Sequence, residues 1–461
     1  MILIKLTDPN SNNYYIADGS IRALDDSTMR FWYPRLASIS PVQMRPDKVY
    51  GGMVRISGTG KISISPEATI WPVPLKLTID VRFMDAYGIV TKLFVSTGYI
   101  NEVNDDSITY TLYQKEYDID TLDPAPDLES DINRVYPIGF GSFNNELAMR
   151  VGVGGITDYH YYKASIVGTD PSISGGNYDV RDNGVQKDKY TVAGNGTVVD
   201  SVTYFKSVLA SDGTTINQPY GDIRISGTGP ETDLDGLFDW AKDRINAHPD
   251  FSGYSLDTSN SRSPSPVIEV YLVEQINLFD FLSEISSFFT HCFYIDEVSK
   301  IIYLIDMFTS NGTLSLSKNN GVVTDFFSAT YKYPAPIKKI NSVFSEWKSI
   351  INKDGYPGFF ELSSFTEVIC PNSFGIEETI DSLYSKDLST IEIALINIGI
   401  LKQAPMSILK IPYDLDTVVP GESYNWEDTK MLQTSSISIR SRTINYDPLN
   451  YQTVIDGEAY G

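Results

Sequence analysis

Apolar and polar residues alternate along most of this chain, and alternation marks strands with one buried face. In "GKISISPEATIWPVPLKLTIDVRFMD" two such runs stand out, Lys61–Ser65 and Leu75–Phe83, with a proline-marked connection between them. "KLFVSTGYINEVNDDSITYTLYQ" predicts a hairpin, with strands from Leu93–Val95 onward and over Ile108–Tyr113 and "NDD" as its turn. Acid and proline in "YDIDTLDPAPDLESD" (Tyr117–Asp131) then break the pattern. Alternation returns in "YPIGFGSFNNELAMRVGVG" and "VRDNGVQKDKYTV", where Asp182-Asn183-Gly184 is a turn signal between short strands.

Helical spacing occurs in three places. Leu234, Leu237, Phe238, Ala241 and Ile245 predict a helix from Asp233 to Ala247, ended by Pro249. Leu278, Phe281, Leu282, Ile285, Phe288 and Phe289 predict a second from Asn277 to Thr290, with Asn277 as N-cap. Ile380, Leu383, Tyr384, Ile391, Ala394, Leu395, Ile398 and Leu401 predict a third from Thr379 to Gln403, ending before Pro405. All three stripes are core-facing by default. "CFYIDEVSKIIYLIDMF" follows the second helix and reads as two strands around "DEVSK". From Ser407 on, "VVPGESYNW" places a Pro420-Gly421 turn before a strand, and "SSISIRSRTINYD" alternates again.

The expected fold is therefore multidomain and mainly β with α+β segments. The expected divisions are 1–131, an N-terminal β-barrel or sandwich; 132–230, β-rich; 231–345, an α+β helix–hairpin unit; and 346–461, a helix followed by barrel strands. A length of 461 residues fits about three or four domains. The 30 tyrosines and 21 phenylalanines favour strands.

Charge narrows the function. With 36 basic and 59 acidic residues the net charge is −23, which argues against a surface that grips phosphate. It leaves open a surface that nucleic acid slides past. The two cysteines, Cys292 and Cys370, cannot make a disulfide framework. "MILIKLTDPN" lacks the apolar run of a signal peptide, and no stretch reaches the roughly 20 apolar residues of a membrane-spanning helix. The expectation is a soluble protein made in the cytosol.

Candidate chemistry is sparse. His160, His248 and His291 are far apart, and no Cys/His spacing suits zinc. Neither a G-x-S-x-G elbow nor a phosphate-binding lysine loop occurs. Asp118, Asp120, Asp123, Asp127 and Asp131 read as a solvated linker rather than a calcium loop, because prolines interrupt them. "RISGTG" occurs twice, at Arg55–Gly60 and Arg224–Gly229. A strand follows the first copy. A helix follows the second, but Glu231, Asp233 and Asp235 sit at its mouth and would repel phosphate. Both read as a strand ending in a glycine turn. We expect no catalytic, cofactor or metal residues and no enzymatic activity.

Taken in order, several segments resemble the tail hub and tail-tip (baseplate hub) proteins of tailed bacteriophages. They are "YPIGFGSFNNE" (Tyr136–Glu146), "VRDNGV" (Val180–Val185), "IRISGTG" before "LDGLFDWAKDRI", "LFDFLSEISSFFTHCFYIDEVSKIIYLID", and the third helix followed by "LDTVVPGESYNWED". Glu422 stands where Asp is commoner in that group. The resemblance implies a non-enzymatic virion protein of the viral tail, assembled in the host cytoplasm. It implies a homotrimer with two tail-tube-like β-barrel domains per chain, helix–hairpin insertions, and a pseudo-sixfold ring. The implied partners are further copies of the chain, the tail tube or distal tail protein, and tip or fibre proteins. DNA would pass through the channel without specific binding. An adhesin-like tail protein that binds host glycans through its tyrosines is the alternative. A polysaccharide depolymerase is a third reading, and no β-helix repeat supports it.

Overall fold

The computed structural model of the chain describes residues 1–57, 60–65, 74–84, 87–113, 118–121, 138–147, 229, 231–249, 251–308, 335–351, 357–369 and 375–403, with shorter strand segments between 149 and 228, between 310 and 332, and after 405. Strand pairing among these residues forms one sheet of nine strands, one of eleven, and four small ones.

The nine-stranded sheet is built from the first 113 residues. Its order is Ile21–Asp25, Thr28–Pro34, Asn13–Ala17, Ile2–Thr7, Lys76–Met84, Val90–Val103, Ile108–Tyr113, Lys61–Ile64 and Leu36–Ile39. "ILIKLT" is nearly continuous in apolar residues because both faces of that strand are covered. Ile2, Ile4 and Leu6 pack with Ile79, Val81 and Tyr110, while Leu3 packs with Ala17 and Trp32 on the other side. Full burial of each such side chain stabilises by about 1.5–3 kcal/mol.

The eleven-stranded sheet is assembled differently. Along its path run Ser255–Asn260, Ile301–Asp306, His291–Asp296, Gly51–Ser57, Val42–Lys48, Gln433–Asn445, Gln452–Tyr460, Met406–Pro412 and Thr330–Lys332, and Ser310–Ser317 and Ser423–Asp428 branch from it. At its centre lies a hairpin from the N-terminal region. Gly52 and Met53 pair in parallel with Cys292 and Phe293. On the other side Val42, Gln43 and Met44 pair antiparallel with Ile444, Thr443 and Arg442. The sheet thus joins the beginning, middle and end of the chain by backbone hydrogen bonds, and its pairing crosses residue 131. Among the described residues no sheet's strand order closes on itself. The fold is multidomain and mainly β, with α+β segments.

Two helices lie where their periodicity predicts. Helix α1 spans Leu234–Ala247, with Asp233 accepting from Gly236 N at 2.9 Å as its N-cap. Helix α2 spans Leu278–Phe288, and Asn277 Oδ1 accepts from Phe279 N at 2.9 Å. Both bury their apolar faces in one core with Phe140, Phe293 and Leu304. The third helix is a correction. Helix α3 spans Leu388–Gln403 only, and Ile376–Asp381 is a strand paired in parallel with Ile337–Ile351. Between them the backbone is engaged elsewhere. Lys386 N donates to Glu269 Oε2 at 2.6 Å, and Tyr384 O accepts from Glu269 N at 2.9 Å. Asp387 then caps the real helix, accepting from Thr390 N at 2.8 Å. The helical spacing of Ile380, Leu383 and Tyr384 is accidental, and Leu383 is exposed.

Strand predictions fare well. Lys61–Ile64, Lys76–Met84, Ile108–Tyr113 and the strand after Gly421 all form. Asp182 pairs with Val185, the strand pairing expected on either side of the turn signal there. The hairpin around "DEVSK" forms in full register, with Tyr294 stacked on its cross-strand partner Tyr303 at 4.6 Å.

Candidate functional site

Polar and charged groups converge at the junction of the N-terminal hairpin, α2 and strand His291–Asp296. The hairpin turns tightly, with Lys48 opposite Gly51. Gly51 has φ +140° and Gly52 φ +87°, where side chains are disfavoured. A Cβ on Gly51 would lie 2.1 Å from the His291 carbonyl oxygen. This close approach lets strand Gly51–Ser57 enter the sheet.

The strand's two faces then separate two kinds of contact. Val54 packs with Cys292, Met307 and Leu401, and Ile56 joins the core of the nine-stranded sheet. Met53 and Arg55 face α2. Met53 N donates to Ser283 Oγ and to Asp47 Oδ1, each at 3.1 Å, and Ser283 Oγ itself donates to Asp47. Arg55 Nη2 donates to Asp280 at 3.1 Å. Its Nε lies 2.9 Å from Asp47 Oδ2 but is angled away from a hydrogen bond, so that contact is one of charge. Lys48 pairs with Glu284, which also accepts from the Tyr384 hydroxyl at 3.0 Å. Burial, together with the Glu284 charge, pushes the Tyr384 phenol up.

Beneath this junction is a second cluster. Arg262 forks onto Asp306, with Nε 3.2 Å from Oδ2 and Nη2 2.9 Å from Oδ1. The same Nη2 donates to Thr290 Oγ1 at 3.1 Å and Phe289 O at 3.3 Å. Thr290 sits at φ +59°, which ends α2 without a glycine, and Asn397 of α3 reaches its hydroxyl at 3.3 Å. His291 is fully buried. Its Nδ1 donates to Phe289 O at 2.9 Å, so Nε2 carries the lone pair and has no hydrogen-bond partner. Burial, helped by the Arg262 charge and opposed by Asp306, pushes the imidazole down to about 4. A neutral ring sealed from solvent, held beside a bidentate ion pair, fastens the end of α2 to the hairpin that follows.

A more open feature lies along α1. A cavity of about 630 Å³ is lined by residues including Asp235, Asp239, Lys242, Tyr254 and Thr258. Burial raises the Asp235 carboxyl, against hydrogen bonds from Ser261 and Ser265. Burial also raises Glu231, with the charges of Asp239, Asp233 and Asp243 adding to it. The N-terminus of α1 is thus occupied by the chain's own carboxylates.

The residues singled out in the sequence lie apart. His248 caps the C-terminus of α1, His291 is in the buried cluster, and His160 is on strand Tyr159–Lys163. Asp120 bridges to Asn277, and its carbonyl accepts from Arg244 Nε at 2.5 Å, so the acidic segment is pinned where it begins. Asp123, Asp127, Asp131 and Cys370 lie outside the described residues. Among the described residues no group of His, Cys, Asp and Glu has metal-binding geometry, and no helix is long and apolar enough to cross a membrane. Sequence reasoning missed Asp47, Arg55, Arg262, Ser283 and Asp306, whose partners lie on other elements, mostly far away in the chain. For Arg55 one signal existed: it opens the first "RISGTG", whose strand takes the centre of the large sheet.

No protein-family model matches the chain, and no curated protein matches it. Solved structures do. The chain is similar to the 43 kDa tail protein of prophage MuSo2 from Shewanella oneidensis, with 9% identity, a TM-score of 0.45, and 99% of this chain and 97% of that one covered. It is similar to a tail protein from Neisseria meningitidis MC58, with 7% identity, a TM-score of 0.42, and 99% and 96% covered. It is also similar to prophage tail protein gp18 from Listeria monocytogenes EGD-e, with 8% identity, a TM-score of 0.42, and 100% and 94% covered. Over nearly its whole length, then, the chain is similar to tail proteins.

Proposed function

We propose that this chain, like the proteins it is similar to, is a structural part of a phage tail, and that it is the hub of the baseplate. In this reading three copies form a ring between the tail tube and the tip or fibres, and DNA leaves through the bore. The observation that carries the proposal is the eleven-stranded sheet. A part that joins a tube to a tip must transmit load without coming apart. Hydrogen bonding the start, middle and end of the chain into one sheet supplies that continuity. The segment order supports the same reading, since a helix–hairpin unit lies between two strand-rich regions. The two large sheets would supply the two tube-like domains of each chain, closing as barrels within the ring. Part of the −23 charge would line the bore and repel DNA.

The test is the native mass of the purified full chain with projection images of the particles. Three-copy rings with an open bore are expected. A monomer at every concentration, or a closed particle, would sink the proposal. Incubation with polysaccharide should leave polymer length unchanged.

A further inference from the structure

One surface of this acidic chain has the opposite character. Strands Ile21–Asp25 and Thr28–Pro34 form a hairpin at one end of the nine-stranded sheet. Its inner face is well filled: Trp32 is buried, its Nε1 donates to Ala23 O at 3.2 Å, and Arg82 lies over its ring. Its outer face is an exposed apolar row. Leu24 is opposite Met29 and Arg22 opposite Phe31, and Tyr33 continues the row. Leu24, Met29, Phe31 and Tyr33 are between 43% and 59% exposed.

The charges around this row are unusual for the chain. Strand Thr28–Pro34 carries no acid; its Arg30, opposite Ala23, stands on the inner face over the Tyr15 ring, and Arg35 follows the strand directly. Arg22 is exposed on the row itself, and Arg35 lies over the Tyr33 ring. The two carboxylates at the hairpin turn already hold cations. Asp25 holds Lys5 and Arg82, and Asp26 holds Lys92. Met, Phe, Tyr and Arg together are the composition of interface centres. Phe31 and Tyr33 meet edge to face at 80°, which is not the flat platform that a sugar ring stacks on.

We propose that this outer face docks an acidic surface of a second copy of the chain. Two copies at −23 each repel, so contact is favoured where one of them presents cations around an apolar centre. The face and its target differ, so the contact is head to tail, the kind that closes rings. The inference takes from the proposed function only that several copies assemble.

The experiment is a concentration series of sedimentation on the full chain, comparing wild type with Phe31→Ser and Arg22→Glu, and with Leu383→Ser as an exposed control outside the nine-stranded sheet. Both hairpin variants should weaken association by at least about tenfold while keeping the thermal midpoint, because neither side chain is in the core. Added salt should weaken wild-type association. A photo-crosslinker at position 33 should join two copies through an acidic segment, which tests the contact even if a variant folds poorly. If wild type assembles and the variants assemble equally, this surface is wrong and the multi-copy reading survives. If wild type never assembles, both fall. Glycan binding at the row with no change in assembly would overturn a protein occupant.

Discussion

The two large sheets are held together over different sequence distances. In the nine-stranded sheet, pairing joins residues of the first 113, and much of it is between strands linked by short turns. Its buried charges are equally local: Arg82 meets Asp80 and Asp25, and Lys5 meets Asp25. Burial alone would raise the Asp25 carboxyl, but hydrogen bonds from Tyr15 and Lys5 and the charges of Lys5 and Arg82 hold it below its usual value. In the eleven-stranded sheet the central strands come from opposite ends of the chain. There a serine of α2 and an aspartate of the N-terminal hairpin share one amide, that of Met53. The first sheet is paired within its own stretch of chain, with Val42 and Ile56 of the hairpin packed into its core, and the second is the place where the chain becomes one object.

The sharpest way to break the comparison is Gly51→Val. The new Cβ meets the His291 carbonyl and the backbone is strained at φ +140°. A loss of more than about 3 kcal/mol is expected, in the unfolding transition that reports the large sheet. Hydrogen exchange should show the strands Ile2–Thr7 and Lys76–Met84 still protected. Equal loss in both sheets would deny that the first is held mainly by its own strands.

Next come two arginines, the buried Arg82 and the half-buried Arg262. Arg82→Met and Arg262→Met should each lower stability by about 3 kcal/mol, because the first takes the guanidinium from Asp80 and leaves Asp25 with Lys5 alone, and the second takes it from the buried Asp306. The first should weaken exchange protection in the nine-stranded sheet and the second in the eleven-stranded one. Crossed effects would count against the division.

His291 gives a pH-dependent version. Its folded value is depressed to about 4, so the unfolded chain takes up the proton first as pH falls. Stability from this group is complete above the ordinary value near 6.5 and is lost progressively as pH drops toward 4, by about 3 kcal/mol in all. His291→Phe should flatten that part of the wild-type stability curve, as measured by urea unfolding. An unchanged slope would remove His291 from the account. The smallest effect is Ser283→Ala, which should cost about 1 kcal/mol, because Met53 N keeps Asp47 as an acceptor.

This difference in distance also decides what can be read from the sequence. Strands Lys61–Ile64 and Ile108–Tyr113, the pairing of Asp182 with Val185, and helices α1 and α2 follow from patterns within a few residues. So does the "DEVSK" hairpin. The start of α3 is misplaced by periodicity because three apolar residues at helical spacing belong to a strand and a loop, and only the Glu269 contact reveals that. The junction is invisible for a related reason. "GGMVRIS" reads as an ordinary strand, and nothing local says that it pairs with residues 292 and 293. Of the two "RISGTG" segments, the one that leads into a helix carries the stronger local signal. Yet it is Arg55, in the other segment, that lies beside Asp47 and Asp280. Ser283 reads as one more polar position on an amphipathic helix.

The position of the hairpin Val42–Ser57 also sets a timetable for synthesis. Its strands leave the ribosome early, but one partner begins at residue 291 and the other at residue 433. At about 5–20 residues per second the second partner arrives tens of seconds later. During that interval the nascent chain carries an unpaired hairpin edge, the kind of edge that recruits strands from neighbouring chains. Copies translated side by side on one message would therefore be prone to exchange this hairpin, and slowing synthesis between residues 57 and 291 should increase aggregation of the full-length product.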